Sequence, residues 1–259
     1  SNGGVQTLTI YPDIFSIVAL PLSGTPSEIH RGGFLLPEGA GAAEFSGLRE
    51  YRRGDNPRHV HWPTTARLNE LMVKEFEPLA SASLYLALDL SADANVGEGR
   101  HSSFEYAVRI AASIARYAIN NNMPICLSGE GARSLAIGMG TGEAHFSSLL
   151  DALAVVDADG ALPYAKVLQD VAMRCRHGQT VVVFLSEPEA RVSDTIQAIA
   201  LLRARGANVL AVAFERESFL EQTATPRQAR PSPWAGLLDS GVTYLTLRNG
   251  DNLVSAFNP

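Results

Sequence analysis

Residues Leu84-Tyr85-Leu86-Ala87-Leu88 form an unbroken apolar run that stops abruptly at the acidic turn Asp89-Leu90-Ser91-Ala92-Asp93. A strand with one wet face alternates apolar and polar side chains. A strand apolar at every position is covered on both faces, as strands of a parallel sheet between two helical layers are. Two further runs have this character, over 180–185 and 208–214, and a last strand lies at 242–247. Between them the apolar period changes to that of helices, over 103–121, 143–155, 162–176 and 192–205. This alternation predicts an α/β fold: a three-layer, doubly wound, mostly parallel, Rossmann-like sheet with helices on both faces.

Ser102 or Ser103 is placed to cap the first long helix, and Asn120-Asn121-Asn122 to end it. Residues 124–129 and 132–139, joined across Gly129-Glu130-Gly131, read as a hairpin at the sheet edge. Gly138-Met139-Gly140-Thr141-Gly142 lacks the spacing of a phosphate loop and reads as a strand-to-helix turn. The Pro-containing stretch 216–234 has no period and is expected to be an exposed loop. Ahead of this domain, assigned to 81–259, residues 1–80 read as a β-rich N-terminal arm with strand-like pieces at 7–11 and 15–20 between prolines. Ser1-Asn2-Gly3-Gly4 reads as a tag remnant and spacer ahead of a truncated natural sequence.

A chain of 259 residues with 46% apolar content can bury a sizeable core. The formal charge of -6 is spread along the sequence, so no nucleic-acid or anionic-membrane partner is expected from the overall field. Only Cys126 and Cys175 are present, which excludes a disulfide framework and fits reduced thiols. No run approaches the ~20 apolar residues of a membrane helix.

The acidic turn is the first candidate site. Asp89, Ser91 and Asp93 place oxygen-bearing side chains at alternate positions past the carboxyl end of a central strand, where ligands collect in such sheets and where hard cations find oxygen ligands. The pattern resembles the metal-ion-dependent adhesion site of von Willebrand factor A domains, Asp-x-Ser-x-Ser, with Asp93 in place of the last serine. In that family a threonine and a second aspartate complete the site. Here the corresponding loop, Asp157-Ala158-Asp159-Gly160-Ala161, has no threonine, and Glu187 follows the 180–185 strand. Asp89, Ser91, Asp93 and Glu187 are therefore candidate ligands for Mg²⁺ in a degenerate site. The competing reading is that Asp89 and Ser91 satisfy backbone amides of the turn.

The second candidate is arginine-rich. Phe45-Ser46-Gly47-Leu48-Arg49-Glu50-Tyr51-Arg52-Arg53-Gly54-Asp55-Asn56-Pro57-Arg58-His59-Val60-His61-Trp62, followed by Ala66-Arg67 and Leu71-Met72-Val73-Lys74-Glu75-Phe76-Glu77, resembles the domain of unknown function 58 family. That resemblance implies a von Willebrand A-like domain behind the 45–77 motif. It also implies a bacterial protein held in the inner membrane by helices ahead of the residues present here, with its soluble part on the cytoplasmic face. Genes of the family often neighbour MoxR-type AAA+ ATPases. Arg49, Arg52, Arg53, Arg58 and Arg67 carry planar forks suited to carboxylates or phosphates, and Glu50, Asp55 and Glu75 are nearby counter-charges, so an internal ion-pair network and a partner-facing surface are both open.

His59 and His61 would share one face of a strand but lack a third ligand at metal-site spacing, and Arg53-Gly54-Asp55 reads as a turn. No nucleophile elbow, His-Glu-x-x-His helix or Asp-x-Asp turn is present. The expectation is a non-catalytic protein-interaction module presenting Asp89, Ser91, Asp93, Asp159 and Glu187, with the arginine-rich segment, to a protein partner, favoured as a MoxR-type AAA+ ATPase. The rival is a metal-assisted hydrolase or phosphotransferase using Asp89.

Overall fold

The computed structural model describes residues 10–20, 45–52, 60–68, 70–76, 83–220, 233–237 and 240–258. In chain order the elements are β1 (Phe45–Glu50), α1 (Trp62–Leu68), β2 (Met72–Phe76), β3 (Leu84–Ala87), α2 (Ser103–Asn120), β4 (Ile125–Glu130), β5 (Ser134–Gly140) and α3 (Gly142–Leu153). They continue with α4 (Tyr164–Arg174), β6 (Thr180–Leu185), α5 (Glu189–Ala204), β7 (Asn208–Phe214), α6 (Arg216–Leu220), β8 (Thr243–Leu247) and α7 (Leu253–Phe257).

Six strands form one sheet in the order β5-β4-β3-β6-β7-β8, parallel except for β5, which pairs antiparallel with β4 as the expected edge hairpin. The fold is the three-layer, doubly wound, mostly parallel α/β class read from the sequence. Alternate residues of each strand feed two separate cores. Leu84, Leu86, Val182, Phe184, Leu210 and Val212 pack with α2, α3 and α7 on one face, while Tyr85, Ala87, Val181, Val183, Val209 and Ala211 pack with α4 and α5 on the other. Helix α2 starts as expected, with the Ser102 hydroxyl accepting from the Glu105 amide.

The chain runs from β3 to β4 on one side and later places β6 on the other, so the strand order reverses between β3 and β6. There the ladder is pried open. The Thr180 amide donates to the Ser83 carbonyl at 3.0 Å, and the parallel register carries this pattern on by twos until the Phe184 amide would meet the Ala87 carbonyl. Instead the buried Tyr164 hydroxyl sits between them, donating to Ala87 O at 2.5 Å and accepting from Phe184 N at 3.2 Å. The strand ends separate around this hydroxyl.

Sequence expectations change at 15–20, 138–142 and 216–234. Residues 15–20 are not a strand: the segment is held by side chains, with Phe15 N donating to Ser113 Oγ at 3.0 Å, Val18 N to Asn258 Oδ1 at 2.6 Å, and Ile17 and Leu20 buried in the α2 core. Within the charged 45–77 segment, α1 lies between the antiparallel strands β1 and β2. Gly138 to Gly140 belong to β5, leaving Thr141 as the connection, and Gly142 opens α3 at φ 82°. The 216–234 stretch begins as α6, with Phe219 buried, and ends at buried Trp234. The strand-like piece at 7–11 lies almost wholly outside the described residues.

Tyr164→Phe leaves a buried amide and a buried carbonyl without their bridge, at about 1–3 kcal/mol. An unfolding free energy lowered by that amount, seen as a lower urea midpoint with an unchanged slope, is expected; an unchanged midpoint would show that the strands close on their own.

Candidate functional site

Asp89 leaves the carboxyl end of β3 with 4% of its surface exposed. Its Oδ1 accepts from the Ser91 amide at 3.0 Å and the Ser91 hydroxyl at 2.5 Å, whereas Oδ2 is buried with no hydrogen-bond partner. The turn is gripped from the side by the loop before α4. Gly160 N donates to Leu90 O at 2.8 Å and Ala92 N donates to Gly160 O at 2.9 Å, so Ser91 and Gly160 form a short parallel bridge. A Cβ at Gly160 would collide with the Glu130 carbonyl and lie 2.9 Å from the Leu90 carbonyl, so only glycine allows this approach.

Glu187 follows β6 across the opened crevice and is equally buried. Its Oε2 accepts from the Thr195 hydroxyl, and Oε1 has no partner. Asp93 points outward into a two-pronged ion pair with Arg191, at 2.8 and 2.5 Å. Arg191 and Thr195 lie one turn apart on α5, so a single helix face holds both acids. With side-chain exposures of 31% and 56%, the Arg191–Asp93 pair contributes geometry more than stability. Asp159 is exposed, and its Oδ1 accepts from the Ala132 amide at 2.7 Å, tying the α4 loop to the β4–β5 hairpin.

Sequence reasoning missed the group that closes the crevice. Arg216, the first residue of α6 after β7, donates through Nη1 to the carbonyls of Ala94 and Ser186, the latter at 2.6 Å, and through Nη2 to the Asp93 carbonyl at 3.1 Å. A charged residue directly past an apolar strand was the available signal; the missing period of the following stretch obscured it. Tyr164, Arg191 and Thr195 were missed too, because nothing local marks a helix residue that bonds a distant turn.

Burial dominates the electrostatics. It pushes the Asp89 carboxyl up to about 7, against the pull of the Ser91 bonds and with help from the charges of Glu187 and Asp93. It also raises Glu187, while Thr195 and Arg191 oppose the rise. Arg216 is lowered by burial, and the charges of Asp93 and Asp89 hold its proton on.

The arginine-rich candidates are only partly described. Arg49 lies in β1 opposite Val73, and its Nη1 donates to the Glu50 carbonyl at 3.1 Å. Arg52 is exposed after β1, and Arg67 is exposed in the last turn of α1. His61 Nδ1 lies 2.9 Å from Thr64 Oγ1. Arg53, Asp55, Arg58 and His59 lie outside the described residues, and most of the expected ion-pair network lies there with them.

The family model described as "Protein of unknown function DUF58" matches residues 47–222, from β1 through α6. This chain belongs to the DUF58 family. A curated relative, the uncharacterized protein YeaD of Bacillus subtilis, is 32% identical over 124 residues; the match covers 48% of this chain and 29% of YeaD, under a third of that relative's length. Among solved structures, an aerotolerance-related membrane protein from Bacteroides fragilis aligns at 12% identity with a TM-score of 0.46, covering 68% of this chain and 95% of that one. The conserved hypothetical protein BatB from Bacteroides thetaiotaomicron aligns at 13% identity with a TM-score of 0.46, covering 66% of this chain and 92% of that one.

For this DUF58 chain the donor set does not fit the metal that the adhesion-site pattern implies. The Ser91 hydroxyl is spent on Asp89, Asp93 is turned out to Arg191, and the Arg216 guanidinium already brings a positive charge to the strand ends. Among the described residues no three His, Cys, Asp or Glu side chains come together as a metal cage.

The raised Asp89 sets a pH dependence. The unfolded carboxyl releases its proton near 3.8 and the folded one near 7, so the folded state binds more protons between those values. Stability from this group is full at the acid end and lost as pH rises through 7. Asp89→Asn is expected to flatten the decline in denaturation free energy between pH 4 and 7; an identical slope in the variant would assign the decline elsewhere.

Proposed function

We propose that this DUF58 chain is a non-catalytic interaction module that presents the carboxyl-end rim of its sheet to a protein partner. The observation that carries the reading is the way the rim is bonded. Asp93 is fixed by Arg191, Asp159 by the Ala132 amide and Glu187 by Thr195, so the acids are oriented by the fold itself rather than left to reorganise around a substrate. Asp93 and Asp159 remain exposed on that rim, which suits a partner of complementary charge. Family resemblance makes a MoxR-type AAA+ ATPase the favoured partner, with this chain as the cytoplasmic part of a membrane-anchored bacterial protein. Among the described residues no helix is long and apolar enough to cross a membrane, so anchoring would fall to other segments.

A second reading keeps Asp89 as the nucleophile or ligand of a hydrolase or phosphotransferase, and one observation favours it: its buried Oδ2 is unpartnered, next to a second carboxylate with an unpartnered oxygen. Turnover of generic phosphate esters abolished by Asp89→Asn would establish it.

For the interaction reading, the full-length protein is isolated from its native membrane and probed for a MoxR-type ATPase, and the purified domain is titrated with that ATPase. Copurification is expected, with Asp93→Ala weakening binding at least ~5-fold, the ~1 kcal/mol scale of a contributing interface side chain. Reproducible absence of the ATPase overturns the partner assignment.

A further inference from the structure

The six-stranded sheet has two edges of different character. Edge strand β8 is five residues long and none of them is exposed. Edge strand β5 is seven residues long, and Ser134, Ala136, Gly138 and Met139 are exposed. Its sequence, Ser134-Leu135-Ala136-Ile137-Gly138-Met139-Gly140, has no charge and no proline, the residues that ordinarily keep an edge from pairing. The pairing with β4 is irregular at one place, where three steps of β5 from Ile137 to Gly140 answer two of β4 from Leu127 to Ile125. That irregularity lies at the far end of the strand and leaves Ser134 to Ile137 regular.

The neighbouring ladders fix which backbone groups are free. Leu84 N donates to Pro124 O and Leu88 N to Ser128 O, so Pro124, Cys126 and Ser128 turn their backbone toward β3, while Leu127 and Gly129 turn theirs toward β5. Leu127 and Gly129 lie opposite Ile137 and Leu135. The amides and carbonyls of Ser134 and Ala136 therefore point away from the sheet, and among the described residues no backbone bond reaches them from outside it. The ends of this open edge carry opposite charges. Arg133, exposed, comes directly before β5; Glu143, in the first turn of α3 and also exposed, comes shortly after it.

We infer that β5 is a self-pairing edge: two copies of this chain join antiparallel along it, about a two-fold axis near Ala136, into one continuous sheet of twice six strands. Antiparallel pairing sets the start of one strand beside the end of the other, so Arg133 of each copy approaches Glu143 of the second copy at both ends of the contact. The strand is thus complementary in charge to itself reversed, as a two-fold contact requires. One open edge closes on a single second copy, whereas two would propagate a fibre. A strand of this length spans about 24 Å, so the contact is modest and the dimer depends on concentration. The two sheets then run in opposite directions, and their carboxyl-end rims face opposite ends of the dimer. The inference goes beyond the interaction reading and does not depend on it, since it concerns the lateral edge of the sheet and not the rim.

The test is sedimentation velocity with light scattering on the whole chain over about 1–200 µM, the range of a small symmetric contact. A monomer–dimer equilibrium is expected, with hydrogen exchange slowing at the Ala136 amide as the dimer forms. Ala136→Lys sets two like charges face to face across the axis and should weaken the dimer at least about tenfold. Its Tm should stay within about 2 °C of wild type, as for an exposed position off the β4 ladder. Arg133→Glu, which serves as the comparison if Ala136→Lys does not fold, should weaken the dimer as well, and adding Glu143→Arg should restore it. A chain that stays monomeric throughout, with fast exchange at Ala136, overturns the inference and leaves the edge to an extended segment of a different protein. A dimer that Ala136→Lys and Arg133→Glu both leave intact is joined elsewhere, which overturns it too. Weakening by Arg133→Glu that the charge-reversed double variant fails to repair overturns the antiparallel arrangement.

Discussion

Strand β3 has no solvent face, and most of the site follows from that. Its side chains enter two separate cores, one on each side of the sheet, so the first polar residue past its end is still inside the protein. Asp89 cannot draw on water and must be served by the chain. Ser91 serves one oxygen twice and nothing serves the other, which is why burial outweighs hydrogen bonding and lifts the carboxyl toward neutrality. Glu187, at the end of the neighbouring strand β6, is in the same position for the same reason.

Once two such strands lie side by side, their ends have to part if the acids are to share a crevice. The Tyr164 hydroxyl achieves this without leaving the ladder groups unsatisfied, because a hydroxyl both donates and accepts. The turn beyond β3 then needs a lateral support that a side chain would obstruct. Gly160 supplies backbone bonds on both sides of Ser91 at a distance that excludes a Cβ, and the hairpin glycines repeat the theme. A Cβ at Gly129 would press on Leu90, and one at Gly131 on Asp159. The hairpin legible from these glycines turns at 131–133, one step later than the sequence suggests, and is shaped as much by the loop packed against it as by its own turn geometry.

What was legible in the sequence is what local burial writes there. Thr180–Leu185 and Asn208–Phe214 were found to the residue because full burial on both faces leaves no polar position to blur a boundary. Helix α2 was legible from its period and its serine cap. Short elements whose support is distant were not. The piece over 15–20 has β-like composition, yet its amides are answered by Ser113 and Asn258, side chains remote in sequence, so it lies on the domain without joining a sheet. Helix α1 hides in a charged stretch with no buried residue to impose a period. At the site, the acids were legible because they end apolar strands, while their partners were not. Arg191 meets Asp93 across 98 residues and Arg216 meets Ala94 across 122, and no local pattern encodes a contact of that span.

The sheet order explains why an arginine from that particular place closes the crevice. Strand β7 lies next to β6 and two places from β3, so a residue just past the end of β7 must cross the end of β6 to reach the acidic turn. Arg216 does this and bonds both strand ends on the way, at Ser186 after β6 and at Asp93 and Ala94 after β3. A lysine has the length but only a single nitrogen, and three carbonyls from two segments demand a fork. Loss of the guanidinium therefore removes a charge and, with it, a link between two strand ends that Tyr164 holds apart.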